Sequence, residues 1–389
     1  DGERVVVPDG LTLLAALRGP VGSRGPKAGC NPQGQCGCCS VLVDGAPRVA
    51  CVLPVRRVAG RSVTTVEGLG PEVRAQWADA LVATGGSQCG FCTPGIVCRL
   101  EGLRAKGTAA DDLAAVDRAL AAHLCRCTGW QTIEEAWTRV VAEAAVGSEL
   151  GGVARRLADE HGRPVRVVLS REDVVRTGPK RPPIAAGVRA DGTGVVRVAR
   201  TSGIADAIAS IAPALEVEQV DLVGPPTSCT LRGAGWVEAA VLLAGLRARL
   251  GSGDEASRSA TVVSPEGATA TVSVLDDASI HVDLRCGSVL DAVVLRSYAI
   301  GAVHMALGWV TSEGLAVFDD GTVADLTIRS FGVLRASDMP HVEVQLHLDD
   351  DGDPVNGSDA VFAATAAAAW IASGLPPTWP TGRPVAVPQ

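Results

Sequence analysis

Ten of the twelve cysteines in this 389-residue chain lie before residue 128, and only Cys229 and Cys286 come after. Many of the ten stand one, two or three positions apart, too close for ordinary disulfide geometry. Metal ligation is the use that suits such spacing. The stretch up to Gly129 is therefore expected to fold around metal-bound thiolates, with tight loops, rather than around disulfides.

The first group is Gly29-Cys30-Asn31-Pro32-Gln33-Gly34-Gln35-Cys36-Gly37-Cys38-Cys39, completed by Cys51 on what reads as a returning strand. For thiolates to converge on two irons the loop must fold tightly, with backbone N–H groups aimed at sulfur, and glycines at 29, 34 and 37 permit that path. The pattern is close to the plant-type C-x4-C-x2-C...C run with one extra residue between the first two ligands. Cys30, Cys36, Cys39 and Cys51 are the expected ligands of a 2Fe-2S cluster, and Cys38 is expected to face away.

The second group pairs Gln88-Cys89-Gly90-Phe91-Cys92-Thr93-Pro94-Gly95 with Cys125-Arg126-Cys127-Thr128-Gly129. Cys89 and Cys92 precede one predicted helix and Cys125 and Cys127 follow another, so a bundle would bring both pairs to one point. Helix N-termini there would offset a cluster's negative charge. Four thiolates can also close a zinc site, although a C-x-C arm is unusual for zinc, and the spacing leaves both readings open.

Periodicity outlines the rest. Arg4–Val7, Pro8-Asp9-Gly10 and Leu11–Leu17 read as strand, turn and short helix, and Ser40–Val43 runs through Asp44-Gly45 into a hairpin partner from Pro47 to Leu53. From Pro71 the period becomes helical. The first helix carries Val73, Trp77 and Leu81, and the second starts at Pro94. A third takes Asp111 as N-cap, with Leu113, Val116, Leu120 and Leu124 inward, and a fourth has Thr132 and Glu135 spaced as a capping box. Beyond residue 150 strands are expected at 165–169, 194–198, 270–275, 279–284 and 342–348, with helices at 236–250, 297–309 and 359–373.

A net charge of −8 argues against a polyanionic partner, so nucleic acid is excluded, and no run reaches the roughly 18 apolar residues of a membrane span. Asp1-Gly2-Glu3-Arg4 opens without an initiator Met or a secretory signal, so a few native residues are expected to be missing and a cytoplasmic location is expected. The six histidines form no i, i+4 pair and read as structural or surface residues, and Asp349–Asp353 as a solvated turn. Cys98, Cys229 and Cys286 read as small buried hydrophobes.

Gln88–Gly95 together with Cys125–Gly129 resemble the paired signature of the iron-sulfur subunit of the xanthine oxidase family of molybdenum hydroxylases, and the loop from Cys30 to Cys51 resembles that family's first cluster loop. The resemblance implies an α+β chain in three parts. These are a β-grasp, ferredoxin-like 2Fe-2S domain over 1–70, a four-helix 2Fe-2S bundle over 71–147, and over 148–389 a shortened α+β domain resembling part of the molybdenum-binding subunit. It implies Cys89, Cys92, Cys125 and Cys127 as ligands of the second cluster, and Gln88 and Cys127 within reach of a molybdopterin.

The second-half resemblance rests on Ala154–Arg171, on Thr230-Leu231-Arg232-Gly233-Ala234-Gly235, where Arg232 is a candidate for an anionic pterin arm, and on Gly301–Gly308. Features of active members are missing: no glycine-rich loop stands near Val146–Gly152, and Tyr298 takes the place of an expected Gln. No carboxylate sits where the general base should be, Asp359 being nearest and reading as a helix N-cap. The function implied is an electron-transfer subunit that relays electrons from a molybdopterin held by a molybdenum-binding partner to FAD in a flavin subunit, or to an external acceptor. A self-contained hydroxylase acting on an aldehyde or N-heterocycle, and a non-catalytic redox or assembly protein, are the alternatives.

Overall fold

Thr12 begins the ordered core: its hydroxyl accepts from Ala15 N at 3.2 Å and caps helix α1 (Leu13–Arg18), which buries Leu13, Leu14, Ala16 and Leu17. The computed structural model describes residues 1–143, 185–188, 193–200, 203–220, 234–250, 258–314, 322, 327–348, 351–376 and 379–382. Contacts divide the chain into two units, Asp1–Arg163 with Ala324–Met339, and Pro164–Val323 with Pro340–Gln389.

In the first unit, β1 (Ser40–Val43) and β2 (Ala46–Val49) form the expected hairpin, and β3 (Val63–Thr64) pairs with the other edge of β1. Asp44 and Gly45 both take positive φ, 48° and 76°, the turn whose twist matches that of two-residue hairpins. Two expectations fail here. Arg4–Val7 pairs with no strand among the described residues, and Val6 is 94% exposed. The segment is held instead through Asp1, whose amine donates to Val63 O and whose carboxylate accepts from Thr65 N, each at 2.8 Å, beside a β3 only two residues long. Cys51 sits on a 3-10 turn, Ala50–Val52, because β2 ends at Val49.

Four helices follow: α2 (Pro71–Thr84), α3 (Thr93–Arg104), α4 (Leu113–Leu120) and α5 (Gln131–Glu143). Their shared core holds Trp77, Leu81, Ile96, Leu100, Val116, Leu120, Trp130, Ile133, Trp137 and Val140. The N-cap of α4 is Asp112 rather than Asp111, its carboxylate accepting from Ala115 N at 2.9 Å; this one-residue shift leaves Leu113 exposed, and Leu124 lies beyond the helix. Thr132 is not the N-cap of α5, as the expected capping box required. Trp130 reverses the chain at φ 72°, the helix starts at Gln131, and the Thr132 hydroxyl inside it donates to Thr128 O at 3.4 Å.

Residues 327–339, far along the chain, belong to this unit. Arg329 N donates to Gln35 Oε1 at 3.1 Å in the cysteine loop, Trp130 Nε1 donates to Leu334 O at 3.3 Å, and Ala336 is buried in the helical core.

Among the described residues the second unit has two sheets. In one, β4 (Ala185–Val188) is antiparallel and β6 (Leu215–Val220) parallel to the central β5 (Gly194–Ala199), with α6 (Ile204–Ile211) as the crossover and α7 (Ala234–Leu250) packed on β4 and β5. The other is ordered β10-β9-β8-β7, from β7 (Ser259–Val263), β8 (Thr269–Val274), β9 (Ile280–Arg285) and β10 (Val342–Leu346), with only the β9–β10 pair parallel. Helices α8 (Ala292–Thr311) and α9 (Ser358–Ala372) pack on each other, and the alanines of α9 let it lie close against β7, β8 and α7. By length and hydropathy α8 passes the test for a membrane span, yet it is mostly buried within this unit, as a core helix is.

The expected strands at 194–198, 270–275, 279–284 and 342–348 and all three expected helices are present to within a few residues. Sequence reading missed β4, β6, β7 and α6. Asp359 is not an N-cap: Gly357 holds that position, and Asp359 lies in the first turn with its carboxyl pushed up by burial and by the nearby Glu266. Ala154–Arg171, Val146–Gly152, Cys229 and Arg232 lie outside the described residues.

Candidate metal centres

Two positive-φ glycines, Gly34 at 69° and Gly37 at 66°, fold the first cysteine loop back on itself. Cys30, Cys36, Cys39 and Cys51 come together in one buried cluster, each less than a tenth exposed. Backbone amides point at sulfur, as a bound anionic cluster requires: Gln33 N lies 3.3 Å from Cys30 Sγ and Cys51 N 3.4 Å from Cys39 Sγ. Cys38 does not face away. It is buried in the same cluster, and its thiol donates to Cys36 O at 3.5 Å. Tight packing rather than alternation decides this, since the loop has no strand to set a two-sided period.

The second set forms where α3 begins and where the chain turns from α4 toward α5. The Cys127 thiol donates to Cys89 Sγ at 3.6 Å, Cys92 pairs with Cys125, and Cys125 Sγ is 3.1 Å from Thr128 Oγ1. Gln88 and Cys127, expected together, meet through Gln88 Nε2 donating to Cys127 O at 2.8 Å. Cys89 is exposed, and Phe91 beside it is 45% exposed.

Electrostatics fit metal ligation at both places. Hydrogen bonds from Cys38, Cys127 and Cys92 hold the thiols of Cys36, Cys89 and Cys125, respectively, below their usual range, while the same hydrogen bonds and burial push Cys38, Cys127 and Cys92 well up, so that each pair shares one proton. Burial drives Cys51 up to about 12 and raises Cys39 as well, so these thiols ionise only with a positive charge beside them. In the second set the thiols meet as two pairs, Cys89 with Cys127 and Cys92 with Cys125. Paired thiols match a dinuclear cluster with two thiolates on each iron more closely than a preformed zinc tetrahedron.

The two sets abut. Leu124 N, next to Cys125, donates to Cys36 O at 3.0 Å. Gly95, in the first turn of α3, packs so closely on Gly37 and Cys38 that a methyl group there would fall 2.9 Å from Cys38 C and Cα. His123 fills the corner, its ring against Gly37 and its Nε2 3.2 Å from Ser40 Oγ; burial lowers its pKa to about 4, so it is neutral. Sequence reading gave His123 no particular place, and nothing local signals one.

The family described as 2Fe-2S binding domain matches residues 65–138, which takes in all four cysteines of the second set. Isoquinoline 1-oxidoreductase subunit alpha of Brevundimonas diminuta is 36% identical over 139 residues, covering 36% of this chain and 90% of the relative. The chain belongs to the xanthine oxidase family of molybdenum hydroxylases. An aldehyde oxidoreductase of Megalodesulfovibrio gigas is 41% identical over 140 residues, covering 34% of this chain and 15% of that protein. Xanthine dehydrogenase 1 of Arabidopsis thaliana is 37% identical over 159 residues; 37% of the present chain is covered, but it spans only 12% of the length of that relative. The matched domain is described as one that binds 2Fe-2S, and the second set of cysteines lies within it.

Proposed function

We propose that this chain is the electron-relay component of a molybdenum hydroxylase complex, passing electrons from a molybdopterin held by a molybdenum-binding partner to a flavin subunit or another acceptor. The observation that carries the reading is the direct contact of two four-thiol sets, one buried and the other reaching the surface at Cys89. Two 2Fe-2S clusters would supply one-electron reduction and reoxidation at these positions.

The chain's own residues hold and space them. Cys30, Cys36, Cys39 and Cys51 would ligate the inner cluster, and Cys89, Cys92, Cys125 and Cys127 the outer one. The amides of Gln33 and Cys51 donate to the sulfurs of Cys30 and Cys39 and hold the loop around them. The Leu124–Cys36 hydrogen bond and the glycine contact at Gly95 keep the two sites at a fixed separation. Gln88 braces Cys127 through its carbonyl, at the face where Cys89 and Phe91 are open to a partner.

Purified protein should carry about four irons and four acid-labile sulfides per chain, and Cys127→Ser should disturb the outer cluster's EPR signal while leaving the inner one intact. Stoichiometric zinc without iron-sulfide absorption, or loss of both signals in a folded Cys127→Ser protein, would overturn the assignment.

A further inference from the structure

We infer that Cys38 is a reserve ligand of the inner centre, able to take the place of Cys36. The inference rests on the cluster-binding reading above and concerns a thiol outside the two sets of four.

Three observations converge on Cys38. It is 4% exposed and belongs to the same buried cluster as Cys30, Cys36, Cys39 and Cys51, so five thiols crowd a place where four are used. Its sulfur lies beside that of Cys36: a methyl group built on Gly29 would fall 2.8 Å from Cys36 Sγ and 3.3 Å from Cys38 Sγ, which puts both sulfurs on the same side of one backbone position. The residue between them, Gly37, has φ 66°, a backbone conformation that brings both thiols to one side of the loop instead of alternating them. The resulting Cys-x-Cys spacing is the one the chain repeats at Cys125 and Cys127 in the outer set.

Exchange needs no oxidant. In the exchange the Cys36 thiolate would leave the iron and take up a proton, while the Cys38 thiol would give up its proton and bind in its place, so sulfur ligation would be conserved with no change of oxidation state.

The test compares iron content and EPR of the wild type with Cys38→Ala, Cys36→Ala and the double variant, all as the full chain. Wild type and Cys38→Ala should hold about four irons with the same spectrum. Cys36→Ala should also hold about four, with the outer signal unchanged and the inner signal at shifted g values, and the double variant should fall to about two. If Cys36→Ala drops to about two irons like the double variant, the inference is wrong. A wild type without iron would instead defeat the cluster assignment itself. Should Cys36→Ala not fold, Cys36→Ser decides: all-sulfur coordination of the inner iron by X-ray absorption supports exchange, and a serine oxygen bound to iron overturns it.

Discussion

Gly95→Ala is a sharp probe of how the two cysteine sets are joined, because two effects of opposite sign compete at one atom. Gly95 is the third residue of α3, and by helix propensity alone the added methyl group should stabilise the protein by up to about 1 kcal/mol. The tertiary environment opposes it. The new Cβ would press on the Gly37 carbonyl oxygen and lie 2.9 Å from both Cys38 C and Cα, backbone atoms that have no rotamer into which to retreat. Overpacking of this kind costs about 1–3 kcal/mol or more. Because the obstacle is a loop pinned by Leu124 N to Cys36 O, relief requires moving the whole loop, and the upper end of that range is expected. The net change should be a loss of about 2 kcal/mol or more after the propensity gain is subtracted. Denaturant unfolding of the iron-loaded chain, with Gly70→Ala as a control whose Cβ meets nothing within 4 Å, measures it. The magnetic interaction between the two clusters' EPR signals should weaken in Gly95→Ala alone. A Gly95→Ala protein more stable than wild type, with unchanged spectra, would refute the close approach and the fixed spacing drawn from it.

Glu134, half-buried on α5 beside Asp117 of α4, is driven up to about 7 from 4.5, first by burial and then by Asp117 and Glu135. Its folded form therefore holds a proton that the unfolded chain gives up near pH 4.5, so stability present below that pH is lost as pH rises through 7. Unfolding midpoints should fall between pH 5 and 8 by an amount equivalent to at most about 3 kcal/mol, and Glu134→Gln should flatten that slope; an unchanged slope in the variant would remove Glu134 as its source. Asp359 should be dispensable for turnover by the assembled complex. Since burial and Glu266 already disfavour its charge, Asp359→Asn should leave stability at neutral pH unchanged or improved, and a thousandfold fall in turnover by a folded, fully metallated variant would identify it as a general base and favour a self-contained hydroxylase.

The sequence by itself determined which thiols belong together, because ligand spacing is local: residues within one tight loop, or at the ends of neighbouring helices, have few ways to avoid one another. It also determined the helices whose apolar face repeats every three to four residues, and the alternating strands of the second half, to within a few residues, since those periods are properties of the backbone. Where no period exists, tertiary packing decided. Cys38 turns inward where the loop bends at Gly37, with no strand there to set a two-sided period, and Cys51 lies on a 3-10 turn just past the end of β2. Asp359 enters a helix two positions too far on to cap it, and Arg4–Val7 finds no ladder among the described residues despite its β-forming residues. The least legible feature is the return of residues 327–339 to the iron-sulfur unit. Ala336 and the Leu334 carbonyl gain their meaning only from Trp130, some two hundred positions earlier, and an attachment that distant is written in the shape of the helical core, which no local pattern records.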